Sequence, residues 1–261
     1  MGMNMYAISV SRDHNWIVCS TVWEASVWDG EMQEKVISNV EGTHAVYTVD
    51  VSPDPTRFAT GTDEDASIWS ITTGQRLGGG LLKHGDAVAA IRFSPTGEHI
   101  ATACAGNSIH IFDSHTGDKL VNINNVISGW VGVAPLAWSS NGQQIFATSR
   151  DNKIRSFDVY TGSQRAESQI LDDLRSIALA ANGKFIAAVT PQWISFLNTS
   201  TFKQIGPIIE ESKKIRPIAI SVDNSYLATG LLDGRVIIRD LSKCLPDLYG
   251  PFHVSHMILS C

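Results

Sequence analysis

From Val88 to Ala103 the chain alternates. Val88, Ala90 and Arg92 fall on one side of an extended backbone and Ala89, Ile91 and Phe93 on the other; Ser-Pro-Thr-Gly interrupts them, and a second apolar stretch runs from His99 to Ala103. A period of two predicts two strands joined by a tight turn and excludes an amphipathic helix, whose apolar positions recur every three to four residues. The same order of signals, apolar-x-apolar-Ser, turn, apolar-Ala-Thr, returns at Ile8, Val49, Leu136, Ile177 and Ile218. Taking the serine or its substitute as marker gives Ser11, Ser52, Ser94, Ser139, Ala180 and Ser221, spaced by 41, 42, 45, 41 and 41 residues. A repeat of ~40–45 residues is the length of one four-stranded propeller blade.

Each unit also predicts a third strand, ending in a bulky residue and a polar one: Trp28-Asp29, Trp69-Ser70, Phe112-Asp113, Phe157-Asp158, Leu197-Asn198 and Arg239-Asp240. Thr73-Gly74, Thr116-Gly117 and Thr161-Gly162 then supply turn residues before a short fourth strand. Four strands per unit leave no room for a long helix, so the expected fold class is all-β.

Six such units in register resemble the WD-repeat (WD40) β-propeller family, over nearly the whole chain. The resemblance implies four-stranded sheets ringed around a channel, in one domain over 1–261 with repeats near 4–42, 43–82, 83–126, 127–168, 169–210 and 211–252 and a tail at 253–261. It also implies a rigid scaffold for protein partners. In that family a His before the first strand, a Ser or Thr on the second, an Asp in the next turn and a Trp on the third form a buried hydrogen-bonded set. Repeat two comes nearest, with His44, Thr60, Asp63 and Trp69, although its loop is one residue short at Asp63. Repeat six keeps Thr229 and Asp233 but has Arg239 at the Trp position, and repeat five has Pro191 and Leu197. The repeats are degenerate, and packing is expected to hold most blades.

Aligning the units places Tyr6, Tyr47, Ala89, Ala134, Arg175 and Arg216 at one equivalent position, where the first strands begin. Tyr and Arg are enriched among the residues that dominate protein interfaces. Tyr6, Tyr47, Arg175 and Arg216 are therefore the candidate partner-binding residues, together with Trp130 in the atypical Ser-Gly-Trp-Val entry to repeat four. Repeat one starts directly on a first strand, and Gly250–His256 reads as an outer strand followed by the His that opens another repeat. The expectation is an incomplete seven-bladed ring, of a truncated fungal type, with a gap between blades one and six.

Composition narrows the rest. Hydrophobic residues make up 43% and charged ones 18%, the balance of a packed chain rather than a disordered one. Net charge is -6, and the 20 basic residues do not cluster, so nucleic acid is not an expected partner. No apolar run approaches the ~18 residues of a membrane span, and the first six residues lack a signal-peptide layout. An intracellular protein is expected, cytoplasmic with the nucleus left open, and without a membrane partner. Cys19, Cys104, Cys244 and Cys261 are far apart and read as free thiols.

Candidate chemistry is sparse. Asp63-Glu64-Asp65 begins like a calcium loop, but its twelfth position is Gly74, where a bidentate Glu is required. Gly78-Gly79-Gly80 lacks the Gly-Lys-Ser/Thr of a phosphate loop and reads as a permissive strand and turn. The eight histidines form no H-x-x-x-H or H-E-x-x-H pair, no serine sits in G-x-S-x-G, and no cysteine has a nearby His partner in sequence. The expectation is a non-enzyme without cofactor or metal. Two other readings remain open: a ligand-sensing propeller module of a larger signalling NTPase, suggested by the loops Gly206-Pro-Ile-Ile-Glu and Gly250-Pro-Phe-His, and a propeller hydrolase.

Overall fold

Six antiparallel sheets follow the six units of the pattern. The first contains β1 (Met5–Val10), β2 (Trp16–Thr21), β3 (Ala25–Asp29) and β4 (Lys35–Ile37); the second β5 (Thr48–Val51), β6 (Arg57–Gly61), β7 (Asp65–Ser70) and β8 (Arg76–Lys83). The third holds β9 (Val88–Phe93), β10 (His99–Cys104), β11 (Ser108–Asp113) and β12 (Lys119–Asn124), and the fourth β13 (Leu136–Trp138), β14 (Gln144–Thr148), β15 (Ile154–Asp158) and β16 (Gln164–Glu167). The fifth is β17 (Ser176–Leu179), β18 (Phe185–Val189), β19 (Trp193–Asn198) and β20 (Gln204–Glu210). The sixth has three strands among the described residues, β21 (Ile215–Ile220), β22 (Tyr226–Leu231) and β23 (Val236–Asp240), followed by the one-turn helices α1 (Leu241–Cys244) and α2 (Pro246–Tyr249). This computed structural model describes residues 5–38, 45–106, 108–124, 136–148, 151–169 and 171–249, and Gly250–His256 lies outside them. The chain divides into two compact units, Met1–Ile177 and Ala178–Cys261.

The marker serine has a physical reason. Its hydroxyl accepts the backbone N–H of the residue five positions on: Trp16 to Ser11 at 2.9 Å, Arg57 to Ser52 at 3.0 Å, His99 to Ser94 at 3.1 Å, Gln144 to Ser139 at 2.9 Å and Tyr226 to Ser221 at 2.9 Å. In return the marker's own N–H donates to the carbonyl of that same residue at 2.8–3.0 Å in all six turns, Ala180 to Phe185 included. In five of the six turns a left-handed residue stands three positions after the marker, and in the Ser52 turn Pro55 stands there. His14, Gly97, Gly142, Gly183 and Asn224 fill that place with φ between 61° and 78°, a region that costs glycine nothing and that Asn and His tolerate better than most residues.

A second turn recurs after the third strand. Asp113 Oδ1 accepts the N–H groups of His115 and Thr116 at 2.8 and 2.9 Å; Asp29, Asp158 and Asn198 do the same for the residues two and three positions beyond them. Gly74, Gly117 and Gly162 take the left-handed place here, and Gln33 and Phe202 take it without being glycine. At the end of β23 the same device caps a helix, Asp240 Oδ1 accepting the N–H of Ser242 at 2.9 Å.

The core lies between neighbouring sheets. Ile100, Cys104 and Phe112 on one face of the third sheet pack with Ala59, Ile68 and Leu82 of the second. On its opposite face Ala101, Ala103, Ile109 and Ile111 pack with Leu136, Trp138 and Ile145 of the fourth. Val18 and Val27 meet Val49, Phe58 and Trp69 between the first two sheets. In the second unit Phe185 and Phe196 pack with Leu227, Leu241 and Leu245. Period-two alternation thus serves both faces of each sheet, which is why so many strands read as buried throughout.

Polar bonds also tie adjacent sheets in the first unit. The buried Arg57 donates to the carbonyls of Ser114 and Gly97, each at 3.0 Å, with its guanidinium 5.5 Å from the centre of the Phe93 ring. Asp50 accepts from Ser9 Oγ at 3.2 Å and from the N–H of Phe93 at 2.8 Å, joining the first strands of three consecutive sheets. Burial raises the Asp50 carboxyl above its ordinary value, against the pull of Arg92. Gly79 explains the glycine run of β8: a Cβ there would sit 2.4 Å from the Thr116 carbonyl oxygen, so the strand touches the neighbouring turn backbone to backbone. Each unit also leaves apolar side chains uncovered, Met5, Ile8 and Val10 on β1 and Val236 and Ile238 on β23.

Candidate functional site

Of the four residues the resemblance grouped in blade two, Thr60 and Trp69 meet. Register pairs Phe58 with Trp69 and Thr60 with Ser67, so Thr60 and Trp69 are diagonal neighbours on one face. Trp69 Nε1 donates to Thr60 Oγ1 at 2.9 Å with both side chains buried, and the Phe58 ring stacks on the indole at 6.4 Å. Asp63 lies on the exposed turn between β6 and β7. His44 lies outside the described residues. Blade six shows what becomes of the same frame when its Trp is Arg239. The guanidinium turns to an ion pair with the buried Glu211, and Thr229 Oγ1 has no hydrogen-bond partner among the described residues.

Four of the five proposed partner-binding residues lie among the described residues. The rings of Tyr6 and Tyr47 meet edge to face, 5.8 Å apart at 85°, across the first two sheets. Tyr6 remains 39% exposed and Tyr47 is half-buried, so the pair both packs and presents aromatic surface. Arg175 is exposed just before β17 and ion-pairs with Asp173 at 2.6 Å. Arg216 lies in β21, and Trp130 lies outside the described residues. Ala89, at the equivalent position of the third unit, is buried.

The fold also assembles a group that linear spacing concealed. Cys104 pairs with Ser108 and His110 with Thr102 across β10 and β11, which sets the thiol and the imidazole diagonally on one face. His84, just after β8, reaches the same point: its Nδ1 is 3.1 Å from Cys104 Sγ and 3.0 Å from His110 Nδ1. The two imidazoles stack in parallel with centroids 4.9 Å apart, and Phe112 meets both edge-on. Burial, reinforced by the charges of His110 and Lys119, lowers His84 to about 3, and burial with Lys119 lowers His110 to about 4. Burial pushes the Cys104 thiol up to about 11. Among the described residues this is the only cluster of three His, Cys or acidic groups spaced to hold a metal ion. The expectation of no metal rested on spacing along the chain, which does not register residues brought together by strand pairing.

Comparison with known proteins bears on these same segments. The WD domain, G-beta repeat family matches at residues 34–70, 78–113 and 127–158, segments that contain the first three strands of the second, third and fourth sheets. Those three segments match WD40 repeats. In structure the chain is similar to the β-propeller domain of Cps50 (Swd1) from Myceliophteria thermophila, with a TM-score of 0.77 at 18% identity over 90% of this chain and 82% of that one. The fold is accordingly a β-propeller. In sequence, 82 residues are 35% identical to the chromatin assembly factor 1 subunit FAS2 homolog of Oryza sativa subsp. japonica, covering 28% of this chain and 16% of the relative, so the likeness spans about a sixth of that protein's length.

The WD40 pattern makes blade three legible. His84 occupies the place of the family's structural His, while Phe112 replaces the Trp. Six positions before Phe112, where blade two has Asp63 before Trp69, stands Gly106. The carboxylate of Asp86 presses against Gly106, with Oδ2 2.3 Å from where a Cβ would be. The His of this WD40 repeat has lost two of its usual companions, and Cys104 and His110 stand beside it instead.

Proposed function

We propose that the protein is a non-catalytic scaffold for other proteins, with its partner surface where the first strands of the blades begin. The Tyr6–Tyr47 pair carries this reading: two rigid rings from adjacent blades hold each other in place and keep one edge exposed, which lowers the entropic cost of presenting them. Arg175 adds a charged, exposed side chain at an equivalent position. WD40 repeats in general serve protein interaction, and the rice relative is named as a subunit of an assembly factor. An intracellular place of action goes with this reading.

The test is affinity capture with quantitative mass spectrometry on the wild-type chain and on Tyr6→Ala/Tyr47→Ala and Arg175→Glu/Arg216→Glu. The expected result is loss of the captured partners in both double variants with far-ultraviolet circular dichroism unchanged. Equal capture by folded variants would place the partner site elsewhere.

A further inference from the structure

His84 Nδ1 is the hub of the blade-three cluster, with two short contacts converging on it. A neutral imidazole nitrogen has either one lone pair or one hydrogen, so it satisfies one hydrogen bond. Cys104 Sγ at 3.1 Å and His110 Nδ1 at 3.0 Å therefore compete for that one lone pair or hydrogen. The other ring nitrogen is no better served: His84 Nε2 is buried and finds no hydrogen-bond partner among the described residues. Hydrogen bonding alone therefore explains the convergence poorly.

We propose that His84, Cys104 and His110 bind a zinc ion through Nδ1, Sγ and Nδ1, leaving a fourth tetrahedral position open. The donor atoms lie within 4.8 Å of one another. Tetrahedral zinc with Zn–N near 2.0–2.1 Å and Zn–S near 2.3 Å spaces its donors by roughly 3.3–3.6 Å; the two contacts to His84, at 3.1 and 3.0 Å, lie within about half an ångström of that spacing, and Cys104 and His110 draw together as the ion binds. One thiolate with two imidazoles is a borderline-soft donor set of the kind zinc takes, and unsuited to calcium or magnesium, which require oxygen.

The surroundings allow it. β10 and β11 hold Cys104 and His110 by register, and His84 stands half-buried just after β8. Binding breaks the Cys104 S–H bond, the proton leaving to solvent as the Zn–S bond forms. Lys119 and Asp86 lie close enough for their charges to act on Cys104 in opposite directions, the ammonium favouring the thiolate and the carboxylate opposing it.

The test uses the full chain. After incubation with zinc and desalting, elemental analysis should find one zinc per chain. Cobalt(II) in its place should give intense visible bands of a tetrahedral site and a thiolate charge-transfer band, both abolished by zinc. Cys104→Ser should remove the charge-transfer band, His110→Gln should weaken cobalt binding by at least about tenfold, and Cys244→Ser should leave both signals intact. X-ray absorption of the zinc-loaded wild type, which requires no variant to fold, should show one sulfur and two imidazoles around the metal. Zinc uptake unchanged in Cys104→Ser, a wild-type shell without sulfur, or binding of copper(I) with none of zinc or cobalt would overturn the assignment.

Discussion

Blade two sets Thr60 and Trp69 on the same diagonal as blade three sets Thr102 and Phe112, yet only in blade two does a side-chain bond close across it. Phe112 has no N–H to offer, and Thr102 Oγ1 turns instead to the carbonyl of His110 at 3.4 Å. The strand register across this face and the bonds between the marker serine and the fifth residue are common to both. The polar filling of the face differs. In blade two an indole locks one face of the sheet; in blade three the same face holds two imidazoles and a thiol. Conservation of the frame permits this, because the turns and the inter-sheet apolar packing carry most of the stability and leave the polar face free to change.

The largest expected effect is in blade two. Trp69→Ala removes a buried indole, its stacking on Phe58 and the bond to Thr60, and should cost about 3–5 kcal/mol, read as a large fall in melting temperature. A melting curve close to wild type would show that the indole does not lock this sheet. Next comes the clamp joining the two blades: Arg57→Ala leaves the carbonyls of Gly97 and Ser114 without their charged donor, and should cost about 2–3 kcal/mol by urea unfolding. If blades two and three are held by apolar packing alone, that loss will be near zero.

The two blades also titrate in opposite directions. Asp50, raised above its ordinary 3.8 by burial, favours the fold when protonated, and that contribution is lost as pH rises through its folded value. Asp113 in blade three is lowered by the N–H groups of Thr116 and His115, so its contribution is present above 3.8 and lost as pH falls toward its folded value. Asp50→Asn should therefore gain melting temperature relative to wild type at pH 7 and lose that advantage toward pH 4. Asp113→Asn should be less stable than wild type at pH 7 and approach it in acid. Parallel trends in the two variants would contradict the assignment.

Much of the frame was legible from the sequence because it is local. A serine, a turn and a residue five positions on lie within one window, and six copies in register leave little ambiguity. Ala180 shows the limit of the marker: the turn survives its loss through backbone bonds to Phe185 and Gly183. Third-strand turns were read where Thr-Gly spelled them out, whereas Gln33 and Phe202 occupy the same left-handed place with no sequence signal. The Tyr6–Tyr47 contact follows from aligning units. The His84, Cys104 and His110 cluster does not, since its members are 20 and 26 residues from His84 and meet only through the diagonal register of β10 and β11. A search for close-spaced ligand pairs along the chain passes over such a group.

The smallest expected effect tests whether the frame is truly common. Ala180→Ser restores the hydroxyl that accepts the fifth residue's N–H in the other five turns, and should raise stability by about 0.5–1.5 kcal/mol. No gain would mean that blade five has a different turn requirement.

The contrast between a locking face and a binding face is tested most directly by thermal melting of wild type, Trp69→Phe and Cys104→Ser, each with and without excess zinc. Trp69→Phe should melt below wild type under both conditions and keep the full zinc-dependent rise. Cys104→Ser should lose that rise. A zinc-dependent rise of equal size in wild type and Cys104→Ser, or its disappearance in Trp69→Phe, would contradict the division of roles between blades two and three.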